Sequence, residues 1–495
     1  MLQLLALGAI GILVVRQLYT AVYNLYFHPL ASFPGPKLWI AFPVLRYISQ
    51  CRGIFDQQMV KYHERYGEVV RFDDVSLSFT TAQAWKDIYG YGHGQHQWPK
   101  PEFRPPGSTD HILFSNDANH ARFRKGLSHA FSDQALRKQE HLIKDYVDML
   151  VTALHGEAES GKQVDMTMWY NLTTFDIISD LAFGEPSNCL KNKEYGEFIT
   201  RIFKFFPIVP FVALARFYPL VWRLISLFIG GRVAKARMDL FQMGHDAVTK
   251  RKNDTSKNGR GDFMESLLKY SDNKEKITDA ELAGNAHILF LAGSETTATL
   301  LAGVTFWMLR TPGTMKKAVE EVRSAFDKEQ EITFSSASTK LPYMLACLEE
   351  GLRMYPPVPT VLIRTTTEAA TVSGYTVPKG TQLGVHQMST YWSPANFHEA
   401  DVFHPERWLP SAVDDADSPF YNDNRDARQP FSVGPRNCIG KNLAFSEMRQ
   451  ILARVLWNFD LEMVDKDLDW PNQKAYTVWQ KGPLVCSIKL RKDLL

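Results

Sequence analysis

The sequence predicts a largely helical protein, built as one large domain behind an apolar N-terminal segment. Three patterns carry this. From Lys441 the apolar residues Ala444, Met448, Ile451, Leu452, Val455 and Leu456 fall at helical spacing. Thr278-Asp-Ala-Glu281 is a capping box leading an apolar run that Pro312-Gly313 ends, which places a long helix near Asp279–Arg310. A further helix is expected over Pro342–Met354, with proline in the tolerated first turn and Pro356-Pro357 as the stop. No Pro/Gly/Ser-rich linker divides the 495 residues.

Composition narrows the function classes. The chain is 45% hydrophobic, ample for a large core. Its 56 basic and 54 acidic residues leave a net charge of +2, too balanced to imply nucleic acid. Residues 251–260 and 414–428 are polar and charged, and are expected to be solvated loops. Five cysteines (Cys51, Cys189, Cys347, Cys438, Cys486) are odd in number and form no C-x-x-C pair. That argues against a disulfide framework or a zinc site and for a reducing compartment.

Residues 2–15 carry no charge. After Arg16 apolar character resumes through Tyr19, Val22, Tyr23, Leu25, Tyr26 and Phe27. With Arg16 snorkelling, residues 1–27 reach the ~20 residues a bilayer-spanning helix needs. A cleaved signal peptide is the rival, but no positive residue precedes the run and no A-x-A site follows it, so an uncleaved anchor is expected. Residues 28–37, ending in Phe33-Pro-Gly-Pro-Lys37, form a stiff hinge, and residues 38–495 the body. Arg16, Lys37 and Arg46 follow the run and put the body in the cytosol. The sequons Asn171-Leu-Thr173 and Asn253-Asp-Thr255 would then stay unmodified. The helix near Asp279–Arg310 is apolar almost all round, yet it contains His287 and Glu295, so it is expected to be a central core helix rather than a span.

The chemistry is expected around Cys438. It sits just ahead of a helix start, where the dipole and free N–H groups favour the metal-binding thiolate. Gly434 and Gly440 permit tight turns and close approach of a flat ligand, and Arg436 offers a cation to a carboxylate on it. A merely packed cysteine is the plain alternative. The pattern F-x-x-G-x-R-x-C-x-G, formed by Phe431, Gly434, Arg436, Cys438 and Gly440, resembles the haem-binding loop of the cytochrome P-450 family of haem-thiolate monooxygenases. The resemblance implies haem b with Cys438 as the axial thiolate and metal ligand. It implies a mostly α fold with a small β-sheet region near 71–80 and 361–385, preceded by the membrane-anchor helix. The proline-rich hinge is similar to that of microsomal members.

The long helix contains Ala292-Gly293-Ser294-Glu295-Thr296-Thr297. Gly293 leaves no side chain to block a ligand, Thr296 can bond to backbone or water, and Glu295 adds a carboxylate. A helix with tolerated threonines is the alternative on local sequence alone. The segment resembles the family's A-G-x-[DE]-T-[TS] oxygen-binding motif. Activating O2 requires protons delivered at one place, so Thr296 is expected as relay hydroxyl and Glu295 as its carboxylate, with Ala292 and Gly293 beside the cofactor. Glu350-Gly-Leu-Arg353 resembles the family's E-x-x-R, and Phe403-His-Pro-Glu-Arg407-Trp408 its partner segment. One carboxylate between two guanidiniums would hold the core behind the haem loop, a structural role.

His120 and Arg124, four apart on an early helix, match the family's haem-contact spacing; a basic surface face is the alternative. With Arg364 and Arg436 they are the expected propionate partners. Residues 202–229 are rich in Phe, Leu, Ile and Val and are broken by Pro207, Pro210 and Pro219. They are either plain core or, by analogy, the roof of a channel for a lipophilic small-molecule substrate that dips into the membrane. His386 and Tyr391-Trp392 are expected to be packed core. The implied activity is monooxygenation with electrons from NADPH through a separate NADPH-cytochrome P-450 reductase, since no G-x-G-x-x-G occurs. The enzyme would sit on the endoplasmic reticulum membrane as a single-pass protein of fungal secondary metabolism. Desaturation, oxidative coupling or isomerisation on the same haem is the alternative chemistry, and a non-enzymatic anchored helical protein is the remaining rival.

Overall fold

The computed structural model of the chain describes residues 1–91, 97–101, 109–218, 244–254, 259–273 and 277–491, together with isolated positions between 223 and 242. Pro219 of the aromatic stretch and Thr255 of the second sequon lie outside the described residues. The helices that position the site are α1 (Leu2–Tyr26), α2 (Asp117–Ser128), α3 (Met166–Phe183), α4 (Asp279–Arg310), α5 (Pro342–Met354) and α6 (Lys441–Asn458). α4 and α5 begin and end at the residues that capping and proline signals predict, and α6 begins at Lys441 as its apolar spacing implies. Thr278 accepts from the Glu281 N–H and the Glu281 side chain returns to the Thr278 backbone.

α4 is the centre of the body. Its most apolar stretch is 72% buried inside the protein, so it is a core helix and not a span. It lies along α3, where every residue but Met168 is buried. The two helices come close at Gly293, where a Cβ would stand 2.6 Å from Cδ1 of Ile178. Asn171 of the first sequon lies on α3, 3% exposed, with its amide on the Tyr195 hydroxyl at 3.1 Å.

The strands form two small sheets and two ribbons. One sheet runs β1 (Val69–Arg71), β2 (Ser76–Phe79), β7 (Gln382–Val385), β4 (Arg364–Thr365), with β2 and β7 parallel and the outer pairs antiparallel. It occupies the expected β region, with the hairpin of β5 (Ala370–Val372) and β6 (Tyr375–Val377) beside it. The second sheet, β3 (Gln163–Asp165), β11 (Val485–Leu490), β8 (Phe459–Met463), and the ribbon of β9 (Ala475–Tyr476) and β10 (Val478–Trp479) were not expected. Their strands are short and their partners distant in sequence, so no local alternation announces them.

α1 leaves its side chains largely exposed, but its base is docked. Arg71 donates to the Asn24 carbonyl at 2.8 Å, and the Asn24 amide donates to the Ile40 carbonyl at 3.2 Å. The proline-rich segment is likewise no free hinge: the Arg71 N–H bonds to the Pro34 carbonyl at 2.8 Å, and Gly35 lies against Arg71 so closely that a Cβ would be 1.8 Å from its oxygen. Arg46 is not a free flanking charge either, because it pairs with Asp73 at 2.8 Å in the interior. Two expected loops are also tied down. At one end of 251–260, Arg251 pairs with Asp262 at 3.0 Å, both buried. Asp423, within 414–428, is bonded to Arg407 in the core. Charge runs read as solvated because composition alone does not mark which charged residue has a buried partner 11 or 16 residues away. In the aromatic stretch Pro210 starts a helix, Val209–Phe217, rather than breaking one.

Behind the Cys438 loop one carboxylate gathers several donors. Glu350, with no exposed surface, accepts from Arg353 at 2.6 and 2.9 Å, Arg407 at 3.1 Å, the Trp408 indole at 2.8 Å and the His404 N–H at 2.9 Å. Arg353 also donates to the carbonyls of Tyr391, Ala400 and Val402. Burial pushes the Glu350 carboxyl up, but Arg353, then Arg407 and the His404 N–H outweigh it and hold it below its usual range. A depressed carboxylate contributes stability above its unfolded pKa, and that contribution is lost as pH falls through the folded value. Glu350→Gln leaves two guanidiniums short of their anion and is expected to lower unfolding stability by about 3–5 kcal/mol near neutrality. In denaturant titrations the gap between the two proteins should narrow as pH drops below the ordinary glutamate range; a gap independent of pH would overturn the assignment.

Candidate active site

The Cys438 loop is shaped by backbone geometry. The Cys438 N–H returns to the Phe431 carbonyl at 2.8 Å and the Asn437 N–H to the Gly434 carbonyl at 3.1 Å. Gly434 has φ +76°, and a Cβ there would lie 1.8 Å from the Tyr89 carbonyl oxygen, so only glycine fits. Gly440 differs from expectation: its φ is −86°, and a Cβ would make ordinary contacts at 3.8 Å to Phe131 and 3.9 Å to Cys438 Sγ. The turn does not demand glycine there. Phe431 packs on Phe445 of α6 at 5.3 Å between ring centres.

Cys438 has exposed surface. Burial pushes the thiol up, opposed by the Gly440 N–H, Arg124 and Lys441. The helix start therefore does not by itself deliver the thiolate that its position suggested, because desolvation outweighs it. Among the described residues no cluster of three His, Cys, Asp or Glu could hold a metal ion, so a metal bound by Cys438 has to bring ligands with it, as a macrocycle does.

α4 presents a second open surface. Ala292 is exposed and Gly293 and Thr296 are half-buried, while Ser294, Glu295, Thr297 and Ala298 are buried. The Thr296 hydroxyl donates to the Ala292 carbonyl at 2.7 Å. Gly293 keeps α4 against Ile178, so its missing side chain serves helix packing, while Ala292 and Thr296 keep open surface. Thr297 acts on Glu447 of α6, a wholly buried carboxyl that burial pushes up to about 8. That link stitches the helix bearing Thr296 to the helix that the Cys438 loop begins.

Glu295 does not bond to Thr296. It forms a close ion pair with Lys481, both sealed from solvent, and Lys481 also donates to Thr299 at 2.8 Å. Burial pushes the Glu295 carboxyl up against the pull of Lys481, and burial pushes the Lys481 ammonium down against Glu295. Burial disfavours the charged form of both members, and their mutual attraction opposes it.

Cations gather at the edge of the site. Arg364, on β4, is 4% exposed, donates to the Ile363 carbonyl at 3.1 Å and lies over the Tyr89 ring at 5.1 Å. Arg436 donates to the Ser115 carbonyl at 2.8 Å and to Asp117 at 2.9 Å. Burial, then Arg436, Arg124 and Lys100, push His120 down to about 4, so it stays neutral. Arg124 donates to the Asn437 carbonyl, at 2.7 Å, and to the Asn437 side chain, which ties α2 to the Cys438 loop. Arg364 Nε and Arg436 Nη1 are buried with no hydrogen-bond partner among the described residues. Buried guanidinium nitrogens without acceptors fit a dianion such as the two propionates of haem b. Lys100, Glu447 and Lys481 were missed by sequence reasoning. Glu447 could have been found as a carboxylate on the buried face of a predicted helix. Nothing local marks Lys481, whose partner lies 186 residues away.

The family model for cytochrome P450 matches residues 33–486. The cytochrome P450 monooxygenase olcB of Penicillium canescens is 46% identical over 495 residues, covering 100% of both chains. The trichothecene C-4 hydroxylase of Trichoderma arundinaceum is 45% identical over 470 residues, 94% of this chain and 93% of its own. The cytochrome P450 monooxygenase dtxS2 of Metarhizium robertsii is 41% identical over 490 residues, 98% of this chain and 94% of its own. The chain therefore belongs to the cytochrome P450 family and is a haem b-dependent monooxygenase, an oxidoreductase.

Proposed function

We propose that this monooxygenase inserts one oxygen atom from O2 into a lipophilic small molecule of fungal secondary metabolism. Electrons come from NADPH through a separate flavoprotein reductase, with residues 1–27 holding residues 38–495 on the cytosolic face of the endoplasmic reticulum. The observation that carries the reading is the pair of open surfaces on two motif-bearing elements, Cys438 on one and Ala292 with Thr296 on the other. Relatives named as monooxygenases and a hydroxylase support it. The exposed Leu4, Leu7, Ile12 and Val15 on α1 support the anchor, as do Phe211 and Phe217 on the aromatic stretch.

Haem, when bound, supplies a thiolate-ligated iron that activates dioxygen. Cys438 is the residue to hold it, with Arg364 and Arg436 on its propionates and His120 beside them. Thr296 has an acceptor, Ala292 O, that parks its hydroxyl until a water or substrate competes. Its task is to hold a water and pass protons at that point. Glu295 stores the proton source, and Lys481 keeps that carboxylate from facing the low-dielectric interior alone.

Product analysis under ¹⁸O2 with a supplied reductase tests the reaction. A product carrying one labelled oxygen is expected; an unlabelled product short of two hydrogens would move the reading to desaturation or coupling. Thr296→Ala should lower product per NADPH by at least about tenfold and divert electrons to peroxide, and unchanged coupling would remove Thr296 from the relay. Lys481→Met removes the charge that lowers the Glu295 pKa, so the acid limb of the coupling–pH profile should move to higher pH. Lys481→Arg should leave that limb in place, and a profile identical in both variants would show that the pair takes no part.

A further inference from the structure

α1 has no basic residue in its last turn, so nothing local offsets the negative end of its dipole. A side chain 47 residues further along the chain does so. Arg71, 1% exposed at the end of β1, donates to the Asn24 carbonyl at 2.8 Å. Its other donors go to the carbonyls of Asp73, at 3.1 Å, and Asp74, at 2.7 Å, which fix the guanidinium in the body. Asn24 makes a second tie, from its side-chain amide to the Ile40 carbonyl at 3.2 Å. One residue of α1 is therefore held by the sheet through Arg71 and by the helix Lys37–Ala41 through Ile40. Ala21 and Asn24 are 6% and 4% exposed, whereas Tyr19, Val22, Tyr23 and Tyr26 around them are open.

The connection from α1 back to the sheet is fastened too. The Pro34 carbonyl accepts the Arg71 N–H at 2.8 Å, and Gly35 leaves no room for a Cβ beside the Arg71 carbonyl. The buried Leu30 donates its N–H to His28 Nδ1 at 3.1 Å, and the His28 ring meets Tyr23 edge-on at 5.9 Å. Such a connection has none of the slack that lets a tethered domain reorient. We propose that Arg71 locks α1 to the catalytic body as one rigid unit, so that the direction in which α1 leaves the body sets the tilt of the active site against the bilayer. The proposal rests on residues 1–27 being the membrane anchor. The helix Lys37–Ala41 packs on α1, and Val44–Cys51 packs on that helix in turn. Leu38 and Ile48 on these two helices are 67% and 41% exposed, and Phe217 packs on Tyr47 at 4.9 Å. With α1 locked, this apolar end is held at the lipid surface; with α1 free, it lifts away each time the body rocks.

Polarised flash photolysis of the carbon monoxide complex reads the motion of the haem plane in full-length holoenzyme placed in large phosphatidylcholine vesicles. A body locked to a spanning helix turns about the membrane normal alone, so part of its absorption anisotropy persists at long times. A tethered body that also rocks, on the microsecond-to-millisecond scale of domain motions, loses that part. The wild type is expected to keep the residual anisotropy and Arg71→Met to lose it while staying in the membrane. Ala21→Trp wedges α1 off the body and changes no residue of the body, so it decides the matter if Arg71→Met fails to fold; the same loss is expected. A carbon monoxide difference spectrum checks that the haem site of each variant is intact. Residual anisotropy equal in the wild type and Ala21→Trp overturns the proposal, as does a wild type that keeps none. Extraction of the vesicles with alkaline carbonate separates the two readings. Wild type released by carbonate means that residues 1–27 do not span, and the anchor reading fails; wild type retained by carbonate, with equal anisotropy in the variants, removes the lock alone.

Discussion

Burial of the Glu350 carboxylate is the constraint from which the geometry behind the site descends. Arg353 is fixed by that carboxylate and in turn holds the Tyr391 carbonyl. The Tyr391 hydroxyl accepts the Gln429 N–H at 3.1 Å, the Gln429 carbonyl accepts the Ser432 N–H, and the Phe431 carbonyl accepts the Cys438 N–H. Each link is a hydrogen bond in a dry interior, where an unmade bond costs more than a made one contributes. The thiol is thus located by a bonded path that starts three elements away. Arg428 adds a second tether, pairing with Glu349 and lying 4.1 Å from the Trp408 ring.

α4 shows how one helix serves several neighbours at once. Gly293 lets α3 in, Thr297 reaches α6 through Glu447, Glu295 and Thr299 hold Lys481, and Ala292 with Thr296 remain open. A helix apolar almost all round has no amphipathic stripe, so its sequence cannot say which residue faces which neighbour. The position of the helix was legible, because caps and prolines act locally. The roles of Gly293 and Glu295 within it were not, because both are settled by chains distant in sequence.

The same division runs through the rest of the molecule. Cys438, Gly434 and the Glu350–Arg353 spacing stand in short motifs, and the structure brings Arg407 to them as the motif order implies. The second sheet, the docked proline-rich segment and the pairing of Arg46, Arg251 and Asp423 were invisible, since each depends on one partner supplied from elsewhere. Desolvation is likewise a property of the assembled interior, and it reverses the expectation that a helix start alone would ionise Cys438.

The tie between Arg124 and Asn437 spans 313 residues, and Gly434 is clamped against Tyr89 from the first part of the chain. Contacts of such separation close the longest loops and form late, once shorter-range elements have condensed. The cofactor pocket is therefore a product of the final stage of folding, and a ligand that recognises only the completed pocket stabilises the end of the pathway by mass action. In a cell making this chain faster than it makes haem, the shortfall would appear as unfinished protein, open at the Cys438 loop and vulnerable to proteolysis, rather than as a folded reserve waiting for its cofactor.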